Sequence, residues 1–104
     1  MSDIIIKMLS DYFGSLSHPT RLEILYLLKN EMCVCEIVEK LKKDQSNISR
    51  HLNILRRNGV VEFRSNGVKS MYKTKYKQVY ELLELVRSIL HKQARERQEI
   101  LKAI

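Results

Sequence analysis

Apolar residues recur at intervals of three and four along most of the chain, and the interruptions divide it into a short series of elements. Ile5, Met8, Leu9, Tyr12, Phe13 and Leu16 form one face of a helix over residues 3–16. Ser17-His18-Pro19-Thr20 restarts the chain, and Pro19 suits a first helical turn because its missing N–H is not needed there. Leu22, Leu25 and Leu28 carry this second helix to about Lys29, and Val34, Ile37, Val38 and Leu41 predict a short third helix from Cys33 to Leu41. Asp44 is placed to cap a fourth, in which Ile48, Leu52 and Leu55 share one face. At about 100° per residue, Ser46, Arg50, Asn53 and Arg57 lie opposite, flanked by Gln45 and Ser49. Asn58-Gly59 ends that helix. Residues 60–65 and 68–74 then flank Asn66-Gly67, a dipeptide suited to a two-residue hairpin turn. From about Tyr76 to Ile104, Val79, Leu82, Leu83, Val86, Ile89, Leu90, Ala94, Ile100, Leu101 and Ile104 predict a long fifth helix without a breaker; Arg95 to Glu99 interrupt its stripe, and a frayed end beyond Gln93 is the alternative. The full helix would span roughly 40 Å, against a radius of gyration of about 13 Å for a compact 100-residue domain. The end helices, 3–16 and 76–104, are therefore expected to bury their stripes against a second copy of the chain.

These elements predict a mainly α fold with a β-hairpin wing, a winged helix-turn-helix, as one domain over residues 1–104. Charge sharpens the picture. The chain carries 19 Lys and Arg against 12 Asp and Glu, and between Lys42 and Lys77 ten basic residues face only Asp44 and Glu62. A cationic block with apolar periodicity is a folded surface, not a tail, and it suits a polyanionic partner. The apolar run Ile4-Ile5-Ile6 is far short of a signal peptide or a membrane span, so a cytoplasmic protein with no membrane partner is expected. Cys33 and Cys35 are one residue apart, and a bond between them would close a very small ring with little entropic gain, so they read as thiols.

Double-stranded DNA fits this surface best. Gln45, Ser46, Asn47 and Arg50 occupy the first two turns of the fourth helix, where side chains can meet base edges in a major groove, with Ser49 and Asn53 alongside. Lys42, Lys43, Arg57, Arg64, Lys69 and Lys73 read as phosphate contacts, which position the protein without reading sequence. Taken singly, Arg50 or Arg57 could be an ordinary solvated charge; the one-sided balance of the whole segment argues otherwise. His51, at the edge of the apolar face, suits packing as well as it suits a phosphate. No strand-turn-helix nucleophile elbow, phosphate loop, His/carboxylate metal motif or room for a substrate cleft is present, so no enzymatic activity is expected. A winged-helix module for RNA or protein association is the alternative, but Phe63 and Tyr72 read as inward-packing residues, not as platforms for unpaired bases.

The segments LSHPTRLEILYLL, EMCVCEIVEKL and QSNISRHLNILRRNGVV, with the NG hairpin ending in MYK, resemble the ArsR/SmtB group of dimeric transcriptional repressors over roughly residues 9–76. The resemblance implies a homodimer that binds an inverted-repeat operator and releases it when an effector binds. His18 departs from the family's usual Asp before Pro-Thr-Arg, and Ser17 offers itself as a substitute cap. In members that sense arsenite or soft metals, a CVC motif at the start of the third helix binds the effector. Cys33 and Cys35 match it, while Val38 stands where a third cysteine often lies. No cofactor is required, and arsenite, a soft metal ion or an oxidant is the implied effector. A regulator without metal sensing, its cysteines simply packed, is the alternative. The family's other metal site, paired Asp and His residues on the last helix, is expected to be absent, since only His91 is available.

Overall fold

The computed structural model covers residues 1–104. Its elements are α1 (Asp3–Leu16), α2 (Pro19–Leu27), β1 (Met32–Cys33), α3 (Val34–Leu41), α4 (Gln45–Arg57), β2 (Val61–Asn66), β3 (Lys69–Thr74) and α5 (Gln78–Ala103). This is the mainly α winged helix-turn-helix expected from the pattern. One element was not expected: β1 adds to the hairpin as a third antiparallel strand, in the order β1-β3-β2, with Met32 opposite Tyr72 and Cys33 opposite Met71. A two-residue strand is too short to show an alternation of period two.

Local chemistry explains where the elements begin. The Asp44 carboxylate accepts the Asn47 N–H and the Ser46 hydroxyl, both at 2.8 Å, and caps α4. These bonds favour the charged form and hold Asp44 below its ordinary value. The cap of α2 corrects the sequence reading. It is His18 itself, whose Nδ1 accepts the Thr20 N–H at 3.1 Å. Ser17 does not take that role because it closes α1 instead, its own N–H bonded to the Gly14 carbonyl. The hairpin turn also differs by one residue. Asn66 pairs with Lys69, so Gly67-Val68 forms the turn. Gly67, at φ 64°, supplies the left-handed first position that a type II′ turn demands of glycine.

The core lies where α2, α3 and α4 meet the base of the wing: Ile24, Leu25 and Leu28 pack with Ile37, Ile48, Leu52, Leu55, Val60 and Val61. Leu16 and Val79 close it from α1 and α5. The Tyr80 hydroxyl donates to the Leu25 carbonyl at 2.6 Å and lies 2.8 Å from Thr74 Oγ1, tying α5 and the end of β3 to α2.

The outer helices are mostly uncovered. On α1, Ile4, Ile5, Met8, Leu9 and Phe13 are exposed, as are Leu85, Val86, Ile89, Leu90, Ile100 and Leu101 on α5. The molecule is 61 Å long with a radius of gyration of 16.9 Å, above the ~13 Å of a compact chain of this length. No helix is long and apolar enough to cross a membrane.

Candidate nucleic-acid interface

Helix α4 buries Ile48, Leu52 and Leu55 and therefore turns its polar face outward. Gln45, Ser46, Ser49, Arg50, Asn53 and Arg57 are all exposed on it. Asn47 differs. It is half-buried, and its Oδ1 is enclosed without a hydrogen-bond partner, so at least one of its polar ends is turned away from solvent.

On the wing, Lys69 is exposed beside the turn. Arg64, expected to be free for a phosphate, is instead engaged by Glu31: Nε and Nη2 donate to the two carboxylate oxygens at 2.8 and 2.6 Å. The arginine's hydrogen bond draws the Glu31 carboxyl below its ordinary value, and the carboxylate raises Arg64 in turn. Lys73 is likewise drawn toward Glu62, at 3.4 Å. Phe63 and Tyr72 face each other with ring centroids 5.4 Å apart, and Arg56 stacks on Phe63 at 4.5 Å. The two aromatics are therefore part of the wing's packing, as their positions suggested.

His51 is a packed residue, 8% exposed. Arg21 Nη1 lies 3.0 Å from its Nδ1, while Arg21 Nε donates to the Ser15 carbonyl at 2.7 Å. The His18 ring stands 4.4 Å away, centroid to centroid. Burial, then the positive charge around His18, Arg21, Arg50 and Lys43, pushes the His51 imidazole below its ordinary value. This cluster joins the end of α1 and the start of α2 to the middle of α4.

The cysteines correct a further expectation. Read as thiols, Cys33 and Cys35 are joined as a disulfide, with Cα atoms 5.3 Å apart. On a regular helix residues i and i+2 would diverge by about 200°. Cys33, however, is the extended N-cap of α3 (φ −80°, ψ 158°), outside the helix, and its side chain swings back over the first turn. There its Sγ accepts the Glu36 N–H at 3.3 Å. The small ring still stabilises the fold little by chain entropy. Because β1 pairs with β3, the cysteine pair sits beside the wing. A cavity of about 240 Å³ is lined by Cys33 and Cys35, by Gln45 and Ser49 of α4, and by Lys69, Ser70 and Tyr72 of the wing. The sequence did not disclose this convergence, since its only signal was the two-residue strand.

The family model described as "Bacterial regulatory protein, arsR family" matches residues 18–62. The HTH-type transcriptional regulator MJ1325 of Methanocaldococcus jannaschii is 43% identical over 79 residues, covering 74% of this chain and 89% of the relative. The chain belongs to the arsR family. It is a transcriptional regulator with a winged-helix DNA-binding domain. The matched stretch runs from the cap of α2 into β2, and so contains the cysteine pair and all of α4. The arsenical resistance operon repressor of Staphylococcus xylosus is 43% identical over 67 residues, 64% of each chain. The crystal structure of Rv0081 from Mycobacterium tuberculosis superposes with a TM-score of 0.82 at 33% identity, covering 92% of this chain and 98% of that one. The likeness to Rv0081 thus extends well beyond the stretch that the family model matches.

Proposed function

We propose that the protein is a cytoplasmic, homodimeric repressor that binds an inverted-repeat operator in duplex DNA and releases it when a thiophilic effector or an oxidant acts on Cys33 and Cys35. The observation that carries the DNA reading is the exposed polar face of α4, Gln45, Ser46, Ser49, Arg50, Asn53 and Arg57, on a helix whose opposite face is locked into the core. Arg50 can take guanine O6 and N7 as a fork, and Gln45 can take adenine; Lys69 and Arg57 neutralise phosphates. Dimerisation is supported by the uncovered apolar faces of α1 and α5, which one 104-residue chain leaves in water. A two-fold axis between them would place two α4 helices in successive major grooves, about 34–36 Å apart.

The donor set bears on the effector. Two sulfur atoms already lie together, and no group of three or more His, Cys, Asp or Glu residues is arranged around a common point. Two soft sulfurs fit a trivalent arsenical or a soft metal ion better than a hard cation, and fall short of the four ligands of structural zinc. They also fit a redox cycle: two thiols yield one disulfide, two electrons and two protons, and hydrogen peroxide takes these up as two waters. The arsenical resistance repressor among the relatives supports the repressor reading.

The test begins with selection of bound genomic fragments by the reduced protein. It then titrates arsenite, Zn²⁺, Cd²⁺ and peroxide against the complex of protein and selected duplex. An inverted repeat is expected, with release by thiophilic agents or oxidant; Mg²⁺ should have no effect. A Cys33→Ser/Cys35→Ser protein should lose the response. Wild-type protein that ignores all four agents would overturn the effector reading, and fragments sharing no repeat would overturn the operator reading.

A further inference from the structure

Where α1 ends and α2 begins, His18 and Arg21 meet His51 in the middle of α4. A guanidinium can only donate hydrogen bonds, and so can a backbone N–H. The Arg21 Nη1 contact at 3.0 Å therefore requires a bare Nδ1 on His51, and the Thr20 N–H at 3.1 Å requires a bare Nδ1 on His18. Each neutral imidazole meets that need by carrying its one proton on Nε2. A second proton turns the accepting nitrogen into a donor that faces a donor. On His18 it removes the cap of α2; on His51 it removes the bond from α2 to α4 and leaves two cations in contact. The surroundings offer no compensation. The titratable and charged groups that act on His51 are His18 and Arg21 from the start of α2, Arg50 of α4 itself and Lys43 just before α4. The end of α1 presents the Ser15 and Gly14 carbonyls, both taken by Arg21, at 2.7 and 3.4 Å. Helix α3 and strand β2, also packed on α4, add no charge there. None of these groups is a carboxylate, and neither histidine nor Arg21 belongs to an ion pair.

We propose that His18, Arg21 and His51 form a proton-operated joint: with both imidazoles neutral it fixes α4 against α1 and α2, and protonation releases α4, so that acid weakens DNA binding. This rests on the proposed reading that the exposed face of α4 enters duplex DNA. Arg21 holds the end of α1 by its Nε and α4 by its Nη1. It thereby joins the helix whose apolar face is left for a second subunit to the helix whose polar face is left for bases. Once the joint opens, the two α4 helices of a dimer lose their fixed relation to each other and to successive major grooves. The sign is diagnostic. An exposed histidine on a cationic surface gains charge in acid and tightens on phosphates, whereas two buried acceptors do the reverse. Burial, then the positive surroundings, hold the His51 imidazole below its ordinary 6.5 in the closed joint. Protons therefore favour the open joint; affinity is complete above about pH 6.5 and is lost as pH falls toward the closed-state value. Each ring that must shed its proton to bind lowers affinity by up to about tenfold per pH unit below that range.

The experiment measures the affinity of the reduced full chain for the genomic duplex selected above at about pH 7.5 and about pH 5.5, at constant salt, and takes the ratio for each protein against itself. Wild type should bind about tenfold or more weakly in acid, with its helix content unchanged by circular dichroism. Ring ¹⁵N shifts should show a bare Nδ1 on His18 and on His51 at the higher pH, and their titration should track the loss of affinity. His18→Asn and His51→Asn each offer an amide oxygen to the same donor and take up no proton, so each should narrow the ratio and the double variant should flatten it. His18→Asp leaves the core under α4 untouched, keeps a cap for α2 and sets a carboxylate beside the cluster to offset a proton on His51; it should narrow the ratio as well. His91→Gln alters the remaining histidine, on α5, and should leave the ratio as in wild type. Affinity that holds or rises in acid, a proton on Nδ1 of either neutral ring, helix lost over the same pH range, or a ratio that follows His91 would overturn the joint while leaving the DNA reading intact. Absence of duplex binding at the higher pH would overturn both.

Discussion

Replacing Glu31 by glutamine should make DNA binding tighter and more sensitive to salt. Glu31 holds Arg64 through two hydrogen bonds of 2.8 and 2.6 Å, so in the free protein this wing cation is already neutralised. Glutamine keeps the size of the side chain but removes its charge, and it can offer only one oxygen to the guanidinium. Arg64 then becomes available for a phosphate. Each phosphate neutralised on a duplex steepens the log–log dependence of affinity on salt by about 0.9. Two subunits give about 1.8, and a fourfold rise in salt would change the affinity of the variant relative to wild type by about twelvefold. Fluorescence anisotropy of a labelled duplex between about 50 and 200 mM salt measures the slope directly. A second variant isolates the pair: Arg64→Ala should change the slope little in the wild-type background and by about 0.9 per subunit in the Glu31→Gln background. An Arg64→Ala slope that falls equally in both backgrounds would show that Glu31 does not restrain this arginine, and the reasoning would fail.

Arg50→Ala should lower discrimination between operator and random duplex by about 1–3 kcal/mol per subunit, as loss of a base-reading fork does; competition titrations with both duplexes check it. Lys69→Ala should weaken binding to every sequence alike and flatten the salt slope by about 0.9 per subunit. Leu52 is fully buried between the helices, and Leu52→Ala should cost about 2–5 kcal/mol in urea unfolding, with the cavity left under α4. His51 should make stability fall with acid. Its folded value lies below the ordinary 6.5, so the unfolded chain binds the extra proton first; the contribution is complete above about pH 6.5 and is lost as pH falls toward the folded value. His51→Gln should remove that part of the pH dependence in unfolding titrations.

How much of this was legible in the sequence depended on whether the signal was periodic. Helices α1 to α5 follow from apolar spacing and caps, because burial imposes a repeat of about 3.6 residues that the chain must display. The exposed face of α4 follows as its complement: once Ile48, Leu52 and Leu55 are inside, Arg50 and Asn53 must be outside. What could not be read were choices made by tertiary contact. Arg64 looks like any other wing cation until the fold brings Glu31 to it across 33 residues of sequence. The pairing of Cys33 with Met71 depends on a strand of two residues, and the approach of Cys33 to Cys35 depends on an N-cap conformation that spacing alone does not encode. The hairpin turn moved by one residue because glycine at position 67 suffices for the turn alone, without a left-handed Asn66.

If α4 and the wing read duplex DNA as part of a symmetric dimer, the stoichiometry and strand preference of binding must show it. Both come from titrating the selected duplex, the same sequence as single-stranded RNA, and a duplex with one half-site scrambled. Two chains per intact duplex are expected, with strong preference for duplex over RNA and marked weakening when one half-site is lost. One chain per duplex, or equal affinity for the RNA, would contradict the symmetric DNA-reading dimer.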